Sequence, residues 1–244
     1  MTTVADTDYT LDTDMSGRQV RKTVEWVGWG IVITLLALAL VSVVNRMWFM
    51  SSVDDVSVLN DFDRRYAEQS IATWLHLIPA LLIAITGPCQ FIRKIRVRNR
   101  VWHRVSGRVY LVCGTIAALS GTYVGVLYPF TGYDGPGFNE AMASLFFGLI
   151  SLFCLFNAYR TVRAKDFARH REWVIRSWAL MLAIATERTL LGVFAVTTNI
   201  DLAHLFGVTF WMAGAINIPA AEYWIHLTRK ASTTARHWKD IDGR

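Results

Sequence analysis

The sequence predicts an all-α fold, a polytopic six-helix transmembrane bundle with both termini cytoplasmic. Three observations predict it. Only 18% of the 244 residues are charged and 53% are hydrophobic, whereas an average soluble domain is roughly a quarter charged. The apolar residues gather into long runs, each near the ~20 residues that cross a bilayer. Lys and Arg fill alternate connections between those runs.

Residues 1–25 read as a polar, mobile cytoplasmic tail, with Asp6, Asp8, Asp12 and Asp14 followed by Arg18, Arg21 and Lys22. The membrane domain spans 26–228, with helices expected over 26–44, 71–91, 105–128, 141–159, 173–196 and 205–227. A signal peptide would open on a short basic stretch and end at a small-residue cleavage site. Here a long acidic tail comes first and Asn45-Arg46-Met47-Trp48 follows, so the first run reads as a retained anchor. The connection from Arg46 to Ser70 carries Trp48, Phe49, Val53, Val56, Val58 and Leu59, which suggests a segment lying at the interface. Asp134-Gly135-Pro136-Gly137 marks a turn between the third and fourth helices. Residues 229–244 form a basic tail.

Orientation follows from the cations. Arg93, Lys94, Arg96, Arg98, Arg100 and Arg104 crowd one connection, and Arg160, Arg163, Lys165, Arg169 and Arg171 another. The alternate connections hold only Arg46, Arg64 and Arg65 beside Asp54, Asp55, Asp61, Asp63, Glu68, Asp134 and Glu140. The positive-inside rule puts the basic loops and both termini in the cytoplasm of a multi-pass inner-membrane protein. Loops so short beside membrane ends carry charge for topology and meet anionic lipid headgroups; a nucleic-acid partner is not expected. Trp26, Trp29, Trp48, Trp74, Trp102, Trp173, Trp178, Trp224 and Trp238 mostly fall near helix ends, as an aromatic belt does. Cys89, Cys113 and Cys154 sit in apolar runs without a C-x-x-C, so they read as small buried hydrophobes.

Arg108, Arg176, Glu187, Arg188 and Glu222 fall inside the apolar runs. Each costs about 3 kcal/mol or more in hydrocarbon, so each is expected to face protein, water or a ligand. His103, Gly107 and Tyr110 share one helix face, with Arg104 and Arg108 on the next. His170 and Trp173 share a face in the same way, with Arg176 one turn deeper than Glu172. Both histidines lie at one cytoplasmic depth. Two imidazoles so placed can ligate one b-type haem iron, with arginines meeting the propionates. The same groups could instead hold a phospholipid phosphate or a quinone oxygen, or serve structure alone.

A secondary polar set comprises His76, Gln90, Glu187, Arg188, Asn217 and Glu222. Glu187 and Arg188 point about 100° apart and need not pair, so each wants a partner on another helix, for which His76 is a candidate. A second haem between His76 and His204 is conceivable on position alone. Glu222 is the natural counter-ion for Arg108 or Arg176. Pro88 and Pro219 cannot donate to the ladder and should break their helices, as happens where a membrane helix lines a cavity. No nucleophile and base share a recognisable spacing; Ser70 and His76 fall on different faces.

Gly87-Pro88-Cys89-Gln90-Phe91, His103-Arg104 with Gly107-Arg108 and Tyr110, His170-Arg171 with Trp173 and Arg176, Arg188, and Asn217 with Glu222 together resemble a bacterial membrane-protein family, domain-of-unknown-function family 2306. The resemblance runs from about His76 to Glu222; Cys89 stands where the family usually has Phe. It implies a six- or seven-helix membrane fold and no particular activity.

The sequence thus suggests a membrane redox protein, an electron carrier or oxidoreductase, with haem b between His103 and His170 and quinone near Gln90 and Tyr110. The other reading is a non-redox lipid- or metabolite-binding protein, a transporter or an accessory subunit of a membrane complex.

Overall fold

The computed structural model describes the backbone of residues 4–241 and the side chains of Gln19 and residues 22–229. The described chain is helical: α1 Val4–Ser51, a 3-10 turn Val56–Val58, α2 Asp61–Glu68, α3 Ser70–Phe91, α4 Arg93–Arg98, α5 Arg100–Leu127, α6 Pro136–Arg163, α7 Phe167–Thr197 and α8 Leu202–Ile241. Six segments are long and apolar enough to cross a bilayer: Lys22–Ser51, Ser70–Phe91, Arg100–Leu127, Pro136–Arg163, Phe167–Thr197 and Leu202–Arg229. Their flanks carry Val41, Ile85, Val112, Phe153, Phe156, Val193 and Ile216 exposed. Such a surface suits lipid and would aggregate in water.

The helices extend beyond the expected runs because nothing in the adjoining sequence stops them. No proline occurs before Pro79 or after Pro219. Helix α1 therefore runs back to Val4, where a mobile tail is expected, and α8 runs on to Ile241. Residues 1–3 and 242–244 of the expected tails lie outside the described residues. The expected interfacial segment begins as the end of α1, then forms the 3-10 turn and α2. Asp55 caps that turn, accepting from the Ser57 amide, and Asn60 caps α2, accepting from the Asp63 amide. Gly135 precedes Pro136 with φ +83°, a left-handed corner that suits glycine.

The chain passes up and down through the bundle. α3 packs on α5, α5 on α6, α6 on both α7 and α8, and α7 on α8, while α1 leans chiefly on α3 and α7. One end gathers the basic connections, the other the acidic ones. The core at mid-bundle comprises Ile83, Tyr110, Ala117, Leu155, Trp178 and Leu182. Trp178 lies flat on Gly87, where an added Cβ would stand 1.9 Å from its ring. Gly87 therefore serves close packing in α3, which continues through Pro79 and Pro88.

Candidate functional site

Two side-chain caps set the depth of the paired histidines. The Asn99 side chain accepts from the Trp102 amide at 3.0 Å, and that of Asp166 from the Arg169 amide at 3.1 Å. His103 and His170 each lie four residues after the cap and donate their backbone N–H to its carbonyl. The two histidines thus hold the same place in two matching helix starts. Nδ1 of His170 lies 2.8 Å from the Ala158 carbonyl. Nδ1 of His103 is buried without a hydrogen-bond partner among the described residues.

The groups around them are largely committed to one another. Gln90 fills the face of Gly107, its Oε1 3.1 Å from where a Cβ would stand, and donates to Ser106 Oγ at 2.9 Å. Tyr110 is 1% exposed and its hydroxyl meets that of Ser177 at 2.8 Å. Arg176 lies over the Trp173 ring and forks onto both oxygens of Glu222 at 2.5 and 2.9 Å. Glu172 binds Arg229 at 2.7 Å. Glu222 thereby takes Arg176 rather than Arg108.

Arg104 and Arg108 are exposed. The sheltering expected for Arg108 is not found. Helical side chains point back toward the helix N-terminus, and for α5 that is the basic end, so a guanidinium two turns in can reach polar surroundings.

The secondary polar set separates into three places. Gln90 and Glu222 belong to the basic half. Asn217 sits between α7 and α8, accepting from Thr186 at 3.0 Å and donating to the Ala179 carbonyl at 2.9 Å. His76, Glu187 and Arg188 lie in the acidic half. His204 is exposed at the start of α8, so it shares no site with His76.

The acidic half holds an ion pair that the sequence reading misses. Arg65 and Glu140, 7% and 2% exposed, meet at 2.6 Å. The second oxygen of Glu140 accepts from the Phe130 amide at 2.8 Å, while Arg65 also reaches the Tyr128 carbonyl and the Tyr66 hydroxyl. Burial opposes the charge on Arg65, but the pull of Tyr66 and Glu140 outweighs it and holds the guanidinium above its ordinary range. The available signal is Glu140 itself, a carboxylate opening an apolar helix with no base in its own loop.

Below this pair is a cavity of about 610 Å³, bounded by α1, α3, α5, α6 and α7, with α2 and α8 at its acidic end. Its volume falls in the range of small-molecule sites. Ala80, Ala84 and Ala118 line it where larger side chains would fill it, whereas Gly125 and Gly148, also in its wall, seat Ser144 and Thr122. Its polar groups converge near the acidic end as His76, Arg188, Arg46, Asp63 and Tyr66.

His76 Nδ1 lies 2.9 Å from the Ala117 carbonyl. A carbonyl only accepts, so Nδ1 carries the proton and the neutral ring keeps a bare lone pair on Nε2. Gly121 makes room for this ring: a Cβ there would come within 2.8 Å of it. Arg188 forms no hydrogen bond among the described residues. Its guanidinium rests on Phe206 and Phe62, 4.9 and 5.7 Å from the ring centres, with Glu187 Oε2 at 3.4 Å from Nε. Arg188 lines the cavity; Glu187 stands behind it, 0% exposed. Adjacent residues on a helix need not pair, yet these two approach. Glu187 Oε1 has only a 3.4 Å contact from Thr209, and Oε2 has no hydrogen bond. Among the described residues no cluster of three or more His, Cys, Asp or Glu is placed to hold a metal ion.

A family model described as "Predicted membrane protein (DUF2306)" matches residues 73–225, which take in α3 to most of α8 and leave α1 and α2 outside. No curated protein and no solved structure matches the chain.

Proposed function

We start from the chain's membership of the DUF2306 family of predicted membrane proteins, a description that fixes the membrane and assigns no activity, and propose that this protein binds an amphipathic ligand drawn from the bilayer. The apolar body lies among the small residues of the cavity. An acceptor oxygen of the head meets Arg188, and a hydroxyl, where the ligand has one, meets Nε2 of His76. The single observation that carries this reading is a guanidinium that lines a cavity without one hydrogen bond. The Arg188 side chain is 31% exposed and borders the cavity, and the donors that no described residue takes are ones a ligand oxygen there would satisfy.

Both a lipid headgroup and a quinone offer such an oxygen. Native mass spectrometry of gently extracted protein separates them by mass. A bound lipid-class molecule is expected, lost in Arg188→Gln. Protein that flies free of any such adduct would overturn the reading.

A b-type haem between His103 and His170 keeps one supporting observation: the Ala158 carbonyl holds Nδ1 of His170 and leaves Nε2 free, as in ligating imidazoles. The surrounding residues do not fit a macrocycle. Gln90 occupies the face of Gly107, Tyr110 is bonded in the core, and Arg176 is committed to Glu222. A reduced-minus-oxidised Soret change that disappears in His103→Ala would restore it.

We place the basic loops and both termini in the cytoplasm, at the inner membrane, on the charge asymmetry of the connections. Exposed Arg93, Lys94, Arg96, Arg98 and Arg100 then meet anionic headgroups on that face.

A further inference from the structure

We infer that an anionic head bound at Arg188 is accompanied by a proton on Glu187, so that the cavity loads anion and proton together. This rests on the cavity reading above and adds the charge balance that reading requires.

Two cations and two carboxylates, Glu187 among them, lie close together in the acidic half, beside the Arg46–Asp63 ion pair that also lines the cavity. Arg65 and Glu140 neutralise each other at 2.6 Å, with every Glu140 oxygen hydrogen-bonded. Arg188 and Glu187 neutralise each other less well, at 3.4 Å. The charged and titratable groups acting on Glu187 are Arg188 on its own helix, Glu140 on α6 and Arg65 on α2. Thr209 faces it from α8, and His76 on α3 faces Arg188. With Glu187 ionised in the empty cavity, which is the premise of the coupling, these four charges sum to zero.

An anion that takes hydrogen bonds from Arg188 makes that sum negative. It also competes for the one cation in ion-pair contact with Glu187 among the described residues. A carboxylate left in this position has one weak hydroxyl contact and no exposed surface. Charge buried in this way is neutralised rather than tolerated. A proton on Oε2, the oxygen without a hydrogen bond, restores neutrality. Arg65 acts on Glu187 only through space: its terminal nitrogens are held by Glu140, Tyr66 and the Tyr128 carbonyl, and its Nε makes no bond to Glu187. His76 is the rival acceptor, since Nε2 is bare. Protonating it would place a second cation beside Arg188 while leaving the buried Glu187 carboxylate short of its partner.

The test uses full-length protein in phosphatidylcholine nanodiscs and decanesulfonate, whose head stays ionised throughout. Titration calorimetry is run in phosphate and in Tris, buffers of different ionisation heat, against empty nanodiscs. Saturable heat that differs between the buffers, corresponding to uptake of about one proton per molecule bound, is expected, with affinity falling about tenfold per pH unit in the coupled range. An infrared difference spectrum on binding should show a new carbonyl stretch of a protonated carboxyl. Glu187→Gln should bind decanesulfonate with heats equal in both buffers and without that band; should this variant not fold, the wild-type spectrum decides. Equal heats in the wild type overturn the coupling and leave the cavity reading standing. No saturable binding overturns both. Proton uptake that survives Glu187→Gln and vanishes in His76→Asn assigns the proton elsewhere and overturns the inference.

Discussion

Arg65 on α2 and Glu140 on α6 meet at 2.6 Å beneath the rings of Phe62, Tyr66, Phe130 and Phe206, joining the acidic-end loops to the bundle. Removing one partner of such a pair leaves the other buried and uncompensated, which costs about 3–5 kcal/mol, whereas replacing both with apolar groups costs far less. Arg65→Met and Glu140→Met should each lower the thermal unfolding midpoint in detergent strongly. The double substitution should lower it by less than the worse single one. Additive effects would mean that the two side chains do not share one buried site.

Gly87→Ala puts a methyl 1.9 Å from the Trp178 ring. Trp178 is wedged between Phe91 and Tyr110, so it cannot move aside freely. Overpacking of this kind costs roughly 1–3 kcal/mol. Trp178→Phe removes the ring atoms nearest Gly87, and the double variant should recover part of the loss. Unfolding midpoints of the four proteins form the cycle that measures it, and an unchanged Gly87→Ala midpoint would show that the seam between α3 and α7 is looser than described.

Gly121→Ala aims at ligand binding rather than at the fold. A Cβ there would press the His76 ring, 2.8 Å away, off its bond to the Ala117 carbonyl and toward the cavity. Bound lipid-class adduct in native mass spectra should fall at least severalfold, with a modest change in unfolding midpoint. Loss of folding without a selective loss of adduct would make His76 a packing residue only.

What the sequence makes legible here depends on how local the cause is. The six spans follow from run length, and the matching places of His103 and His170 follow from two capped helix starts, each within four residues. Pairings between helices do not follow. Arg65 and Glu140 lie 75 residues apart, and no period links them. Glu222 could have met Arg108 or Arg176; the choice depends on how α5, α7 and α8 are rotated about their axes, which packing decides. The cavity was the least legible feature. It arises where small residues of several helices face one another, and a lone Ala80 or Gly121 reads only as part of an apolar run. The paired His-Arg elements drew attention to the basic half, where the structure shows mutual commitment instead of open donors.

The bundle carries opposite charge at its two ends. Arg93, Lys94, Arg96, Arg98 and Arg100 are exposed at one end, while Asp54, Asp55, Asp61, Asp134 and Asp201 are exposed at the other. Short basic loops resist translocation and acidic ones contribute little to orientation. A cysteine introduced at Asp134 in a variant lacking Cys89, Cys113 and Cys154 should therefore react with an impermeant thiol reagent added outside intact cells, and one introduced at Arg98 should react only after lysis. The reverse pattern would put the end of the cavity that holds Arg188 and His76 on the cytoplasmic side. The chemistry proposed for the cavity would survive that result, but its ligand would then arrive from the other leaflet.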